Sequence, residues 1–246
     1  MDHKPYIRYI PGSRHAVLMV HGIVGSPAQF RDLIPVIPED WSVYNILLDG
    51  HGGTVQDFSH SNMATWKVQV DVQLHTLLAR HEKILIVAHS MGTLFAIQSA
   101  LRASRRISAL FLLQVPFAPH LPPSTGISAI QLALGKTKPG SPAAAMENAT
   151  AMELTPQLWQ YLGWLPRYAE LMHEIVQTKK LLKHLRVPTY TFQSAHDELV
   201  SLRSCKFLDN HPMIQNTVLP DSGHFLYSAK DTEFLQAQLK QLIESL

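Results

Sequence analysis

Apolar residues recur along this chain in two alternating styles. Short unbroken runs occur at Ala16-Val17-Leu18-Met19-Val20, from Ser42 to Leu48, at Ile84-Leu85-Ile86-Val87-Ala88, from Ile107 to Val115 and from Val187 to Phe192. Runs of this length predict strands buried on both faces, as in a parallel sheet. Between them lie stretches where apolar residues return every three or four positions, the period of a helix with one buried stripe. A helix is predicted over 63–80, with Trp66, Val70, Leu74, Leu77 and Leu78 inward. A closing helix over 232–246 carries Phe234, Leu235, Leu239, Leu242 and Ile243. Shorter helices are expected over 203–209 and after Ser26, a candidate cap with Pro27 in the first turn and Phe30, Leu33 and Ile34 on one side. Tyr6 to Ile10 and Asn216 to Leu219 are minor strands. Strand and helix alternating in this way argue for βαβ units, hence an α/β fold with a mostly parallel sheet flanked by helices.

The rhythm breaks once. From Pro116 to about Leu182 no strand–helix alternation is visible, and Pro116, Pro119, Pro122, Pro123, Pro139 and Pro142 interrupt the chain. Helical pieces are expected there only around Trp159, Leu162 and Leu165 and from Tyr168 to Leu182.

The most informative stretch follows the Ile84–Ala88 run. Ala88-His89-Ser90-Met91-Gly92 leads directly into helical spacing from Met91 to Leu101. A strand that turns into a helix this tightly brings the neighbours of the bend into contact, so the residues two before and two after Ser90 must be small. The bend lifts the hydroxyl out of the sheet, and the new helix offers free backbone N–H groups where negative charge is favoured. That is the geometry of a nucleophile elbow.

On these residues the chain resembles the α/β-hydrolase superfamily, and within it the small carboxylesterases and monoacylglycerol lipases. It departs from the usual G-x-S-x-G in having Ala88 for the first glycine. The resemblance implies a core formed by residues 1–116 and 183–246, with 117–182 as a helical cap inserted over the site. It also implies a catalytic triad in the chain order serine, acid, histidine. Ser90 would be the nucleophile. The acid lies in Ser194-Ala195-His196-Asp197-Glu198-Leu199-Val200, just past the Val187–Phe192 strand. Two carboxylates compete there; the family pattern, an aspartate followed two or three residues on by an apolar one, selects Asp197. The histidine is His224, which follows Gly223 after the last strand. The backbone N–H groups of Ile23, in His21-Gly22-Ile23-Val24-Gly25, and of Met91 would form the oxyanion hole.

Four motifs thus follow four strand ends, the side of an open parallel sheet where ligands collect. His21, His51 and His89 invite a metal reading, but no pair has ligand spacing such as H-E-x-x-H; in the resembling family such histidines bond loop backbone beneath the site. No metal and no cofactor is expected. In the cap, Met146, Trp159, Leu162 and Trp164 are candidates for substrate contact, since Met and Trp suit an apolar acyl or aromatic group.

Composition narrows the picture a little further. The 246 residues carry a net charge of +2 with 14 histidines neutral, a balance that does not call for nucleic acid. Cys205 is the sole cysteine, so no internal disulfide forms. No apolar run approaches the ~18 residues of a membrane span, and Met1-Asp2-His3-Lys4-Pro5 has no signal core behind it. A soluble, cytoplasmic protein is expected. The expected activity is hydrolysis of a small carboxylic ester through an acyl-enzyme. Thioesterase, C–C bond hydrolase or peptidase chemistry on the same triad, or a ligand-binding protein on a hydrolase scaffold, are the alternatives.

Overall fold

The computed structural model describes residues 3–103, 105–120, 122–139, 141–150 and 152–246. Its centre is a seven-stranded sheet made of β1 (Tyr6–Arg8), β2 (His15–Val20), β3 (Ser42–Ile46), β4 (Lys83–His89), β5 (Ile107–Leu113), β6 (Thr189–Ser194) and β7 (Ile214–Leu219). The strands lie in the order β1-β3-β2-β4-β5-β6-β7. β1 runs antiparallel to β3, and the other neighbours are parallel. The chain first steps outward from β2 to β3, then returns to β4 and proceeds the other way. Strand order therefore reverses at β2 and β4, whose carboxyl ends line up as Val20 beside Ala88, and Ala88 beside Leu112 of β5. A crevice for ligands belongs at such a reversal.

Alternate residues of each strand serve two separate layers. Leu18, Val20, Ile84, Ile86 and Ala88 pack with Trp66, Val70 and Leu74 of one face. Val17, Met19, Leu85 and Val87 pack on the other with Leu235, Leu239 and Leu242. The period of two along a pleated strand produces this split, and it explains why the strands read as unbroken apolar runs. The first layer contains α1 (Val55–His60), α2 (Met63–Leu78) and α3 (Met91–Arg102). α2 is capped by Asn62, which accepts from Thr65 N–H at 2.9 Å. Its predicted stripe faces the sheet, with Leu78 half-buried at the end.

Three expectations need correction. The helix after Ser26 is instead two short 3-10 turns, Pro27–Phe30 and Ile34–Val36. Pro35 and Pro38 prevent a continuous helix by removing N–H donors, although Ser26 does cap the first turn. α1 was not anticipated; Thr54 and Asp57 form a reciprocal capping box around its start. The stretch after β5 is also more helical than its prolines suggest. α4 (Pro123–Ala133) and α5 (Pro142–Ala149) each begin on a proline, the first helical position where a missing N–H costs nothing. A 3-10 turn over Leu158–Trp164 then leads into α6 (Leu165–Leu181).

α6 belongs to the first layer as much as to the insertion. Leu171 and Ile175 join the same apolar cluster as α2 and α3. Gln98 of α3 donates to Glu174 and Thr178, both at 2.8 Å, and Lys67 of α2 pairs with Glu174. α7 (Cys205–Leu208) follows a single 3-10 turn, and α8 (Ala229–Glu244) closes the second layer with Phe234 left partly exposed.

Candidate active site

β4 delivers Ser90 to the sheet's carboxyl edge. Ser90 has φ 49° and ψ −120°, a left-handed conformation that side chains rarely adopt. Neighbouring groups hold it there. Its N–H donates to Leu113 O of β5 at 2.9 Å, and its carbonyl accepts from the hydroxyl of Thr93 at 2.6 Å. Gly92 lies so close to β2 that a Cβ would stand 2.2 Å from Val20 O. Gly22 faces Ser90 itself, with room for a Cβ only 2.9 Å from Ser90 Cβ. The two small residues therefore let helix, serine and β2 converge. Ala88 carries its methyl fully buried in the same layer.

The loop after β2 is held from below by two imidazoles. His21 Nε2 accepts from Leu48 N–H at 3.0 Å while its Nδ1–H donates to Gly22 O at 2.8 Å. His51 Nε2 accepts from Val24 N–H at 3.1 Å while its Nδ1–H donates to Asp49 O at 3.2 Å. Each ring is thus used as donor and acceptor at once, which only the neutral form can do. Burial pushes the His51 imidazole down to about 4, and burial followed by the nearby His51 lowers His21 as well. Val24, at φ 59°, turns the loop so that it closes with Gly25 N–H on Gly22 O. Ile23 sits half-buried at its tip. Across the gap, Met91 begins α3, where the first N–H groups lack intrahelical acceptors.

At the neighbouring strand ends, Asp197 and His224 meet. His224 Nδ1 lies 2.9 Å from Asp197 Oδ2 and 3.0 Å from Oδ1, with both side chains buried. Asp197 Oδ1 also accepts from the N–H groups of Leu199 and Val200 at 2.7 and 2.6 Å. Burial alone would raise this carboxyl, but the imidazole and the two N–H donors outweigh it and hold Asp197 below the usual carboxylate range. The carboxylate therefore accepts a hydrogen bond from Nδ1–H and leaves Nε2 as the acceptor. The His224 ring lies edge-on to His89, with centroids 4.8 Å apart, and His89 is the residue before Ser90. No hydrogen bond joins Ser90 Oγ to His224 in this conformation; such contacts are often long before substrate arrives.

His89 differs from His21 and His51. It is buried, yet neither ring nitrogen has a hydrogen bond of ordinary geometry. Burial, reinforced by His224, takes its imidazole down to about 3. The parts played by two further residues escaped the sequence reading. Gln114, at φ 57°, ends β5 and ties β6 to the histidine loop: its amide donates to Ser194 Oγ and reaches Tyr227 Oη, and its carbonyl accepts from Ser194 N–H at 2.9 Å. The lone polar residue closing an apolar run was its only signal. Glu198 accepts from His224 N–H at 2.7 Å, and nothing but adjacency to Asp197 pointed to it.

The four candidates in the insertion sit in different surroundings. Trp164 is buried, donates from Nε1 to Val55 O at 3.0 Å and stacks obliquely on Phe58 at 4.8 Å, so its ring ties the insertion to α1. Trp159 and Leu162 are 68% and 65% exposed. Met146 is half-buried in α5. A cavity of about 340 Å³ lies in the insertion, lined by Leu132, Leu134, Met152 and Leu154 together with the polar Glu147 and Thr150. No cluster of metal-ligating side chains occurs among the described residues, and none of the described helices is long and apolar enough to cross a membrane.

Sheet order, elbow and histidine loop define an α/β hydrolase, and comparison with known proteins agrees. Residues 17–237 match the model of the alpha/beta hydrolase family, and the chain belongs to that family. No curated protein sequence matches it at a significant level. Among solved structures it is similar to a metagenome-derived lipolytic enzyme of the LipS and LipT pair, with 22% identity over 99% of this chain and 98% of that one and a TM-score of 0.75. A monoacylglycerol lipase of Paleococcus ferrophilus is also similar, at 17% identity over the whole of both chains and a TM-score of 0.70. So is the haloalkane dehalogenase DbeA of Bradyrhizobium elkani, at 16% identity over 98% of each chain and a TM-score of 0.63. Likeness at these identities is a likeness of fold.

Proposed function

We propose that this chain is a serine hydrolase of carboxylic esters, with Ser90, Asp197 and His224 as its triad and residues 117–182 as a cap over the core. One observation carries the proposal: His224 is gripped through Nδ1 by a buried Asp197 and lies against the strand end from which the strained Ser90 projects. In the proposed reaction, His224 Nε2 takes the proton of Ser90 Oγ as the oxygen attacks the ester carbonyl. The N–H groups of Ile23 and Met91 receive the oxyanion. His224 then gives its proton to the leaving alcohol, and the C–O bond breaks. Water, deprotonated by the same imidazole, releases the acid and restores Ser90.

A serine at the elbow argues against dehalogenase chemistry, which needs a carboxylate there. The exposed apolar side chains of Trp159 and Leu162 favour an ester with an apolar acyl or aromatic part over a charged substrate. A fluorophosphonate probe tests the reading. Wild type is expected to be labelled and Ser90→Ala not; labelling that survives the substitution ends the assignment. Turnover of p-nitrophenyl esters of rising chain length, set beside thioester and peptide substrates, then separates esterase from the other activities this triad supports.

A further inference from the structure

Asp197 holds the ring of His224, and the next residue in the chain holds its backbone. Glu198 Oε2 accepts from His224 N–H at 2.7 Å. Gly223 lies against the same carboxylate, so close that a Cβ would stand 2.8 Å from Oε1 and 2.9 Å from Oε2. Around this contact the loop is tightly turned, with Gly223 N–H donating to Leu226 O at 2.9 Å. One residue before Asp197, His196 N–H donates to Ser222 O at 3.1 Å. The two loops that carry acid and histidine are thus joined at three consecutive points: His196 to Ser222, Asp197 to the His224 ring, and Glu198 to the His224 backbone.

The three bonds do different work. A hydrogen bond from His224 Nδ1–H to Asp197 fixes one end of the ring but leaves it free to swing with the loop. A bond to the His224 backbone N–H fixes the point from which the side chain departs. Both together determine where Nε2 points. An ionised acceptor suits this, because hydrogen bonds to charged groups are roughly twice as strong as neutral ones. A glycine before the histidine suits it too, since any side chain there would push the carboxylate away.

We propose that Glu198 is a positioning residue for His224, and that position 223 is glycine so that the Glu198 carboxylate can reach the His224 backbone. The inference rests on reading Ser90, Asp197 and His224 as nucleophile, acid and base. Glu198 touches no reacting atom; it acts through the histidine. Its loss is therefore expected in turnover and not in substrate binding.

The test uses p-nitrophenyl butyrate turnover and the rate of fluorophosphonate labelling in the full-length protein, with circular dichroism to verify folding. Glu198→Ala is expected to lower kcat about 10- to 100-fold, the scale of a small misplacement of a reacting group, with KM changed by no more than about twofold. Glu198→Gln keeps an acceptor oxygen in place and is expected to retain activity within about fivefold. Gly223→Ala displaces the carboxylate and is expected to reproduce the Glu198→Ala defect. The double variant is expected to be no worse than the poorer single one, because both remove the same contact.

Wild-type kcat in a folded Glu198→Ala protein overturns the inference, as does a loss confined to KM. Fully additive losses in the double variant overturn it too. Should Glu198→Ala fail to fold, the other pair decides: an active Glu198→Gln beside an impaired Gly223→Ala supports the inference, and any other pairing rejects it. Wild type that the probe never labels defeats the hydrolase reading itself. Wild type and Glu198→Ala labelled at equal rates defeats only the role of Glu198.

Discussion

The elbow and the insertion between β5 and β6 are built on opposite terms. From Met91 to Ala100 every residue of α3 is buried, and the backbone around Ser90 is fixed by neighbours on β2 and β5. In the insertion, Ile127, Ile130, Trp159 and Leu162 are all more than half exposed, while Met152, Trp164 and α6 reach into the apolar layer. A strained serine persists only where its surroundings over-determine it. The exposed part of the insertion is under no such constraint. On the proposed function, the contrast divides the molecule into a part that would do the chemistry and a part that would select what reaches it.

Two glycines test that division most severely. Gly92 has the carbonyl of Val20 where a Cβ would go, at 2.2 Å. Backbone cannot step aside as a flexible side chain can, so Gly92→Ala is expected to cost about 4 kcal/mol or more, or to prevent folding. Gly135, between α4 and α5, has φ 63° but nothing within 4 Å of the same position. There alanine meets only the backbone penalty of a left-handed conformation, about 1 kcal/mol. Urea unfolding of both variants measures the difference. Equal losses would show that the two regions are held alike.

Legibility in the sequence follows the same line. Strands were readable because burial on both faces leaves an unbroken apolar run, and β2, β4 and β5 match theirs within two residues at each end. Ser90, Asp197 and His224 stood out as candidates because each follows a strand end, and the structure pairs the last two. The insertion was readable only in its second half, where the helix expected over 168–182 is α6; α4 and α5 were not anticipated. Its prolines look like helix breakers but sit at helix starts, a distinction that depends on one residue of register. Trp164 and Trp159 are alike in the sequence, and only tertiary contacts separate them: Val55 O, Phe58 and Tyr161 meet one indole, while the other is exposed. The His51 bond to Val24 likewise joins residues far apart in the chain, so no local pattern announces it.

Burial of the His51 ring makes the loop after β2 sensitive to acid. The folded His51 value of about 4 lies below its free value of 6.5. Between these two pH values the unfolded chain binds a proton that the folded chain refuses. Stability is therefore full above pH 6.5, falls as pH drops, and the His51 share is spent by about pH 4. For this one ring the loss is on the order of 3 kcal/mol. Asp197, held below 3.8, adds its own loss only in stronger acid. Urea midpoints at stepped pH should decline across this window in wild type and decline less in His51→Gln. A midpoint indifferent to pH between 6.5 and 4 would contradict neutral imidazoles beneath the loop.

The two tryptophans give the finest test, because they lie five residues apart in one 3-10 turn, Leu158–Trp164. Trp164→Phe removes the donor to Val55 O and trims a ring that is packed between Phe58 and Tyr161. Val55 O keeps its bond from Ser59 Oγ, which limits the cost to about 1–2 kcal/mol. Trp159→Phe alters a ring that is 68% exposed, and its cost should stay within about 0.5 kcal/mol. Turnover of p-nitrophenyl esters reads the complementary property. If the exposed part of the insertion selects substrate, Trp159→Phe changes the relative rates of short and long acyl chains while leaving the unfolding midpoint alone. A variant that shifts stability and leaves chain-length preference untouched would place Trp159 with the structural half of the molecule, and the boundary between the two halves would move outward across the turn.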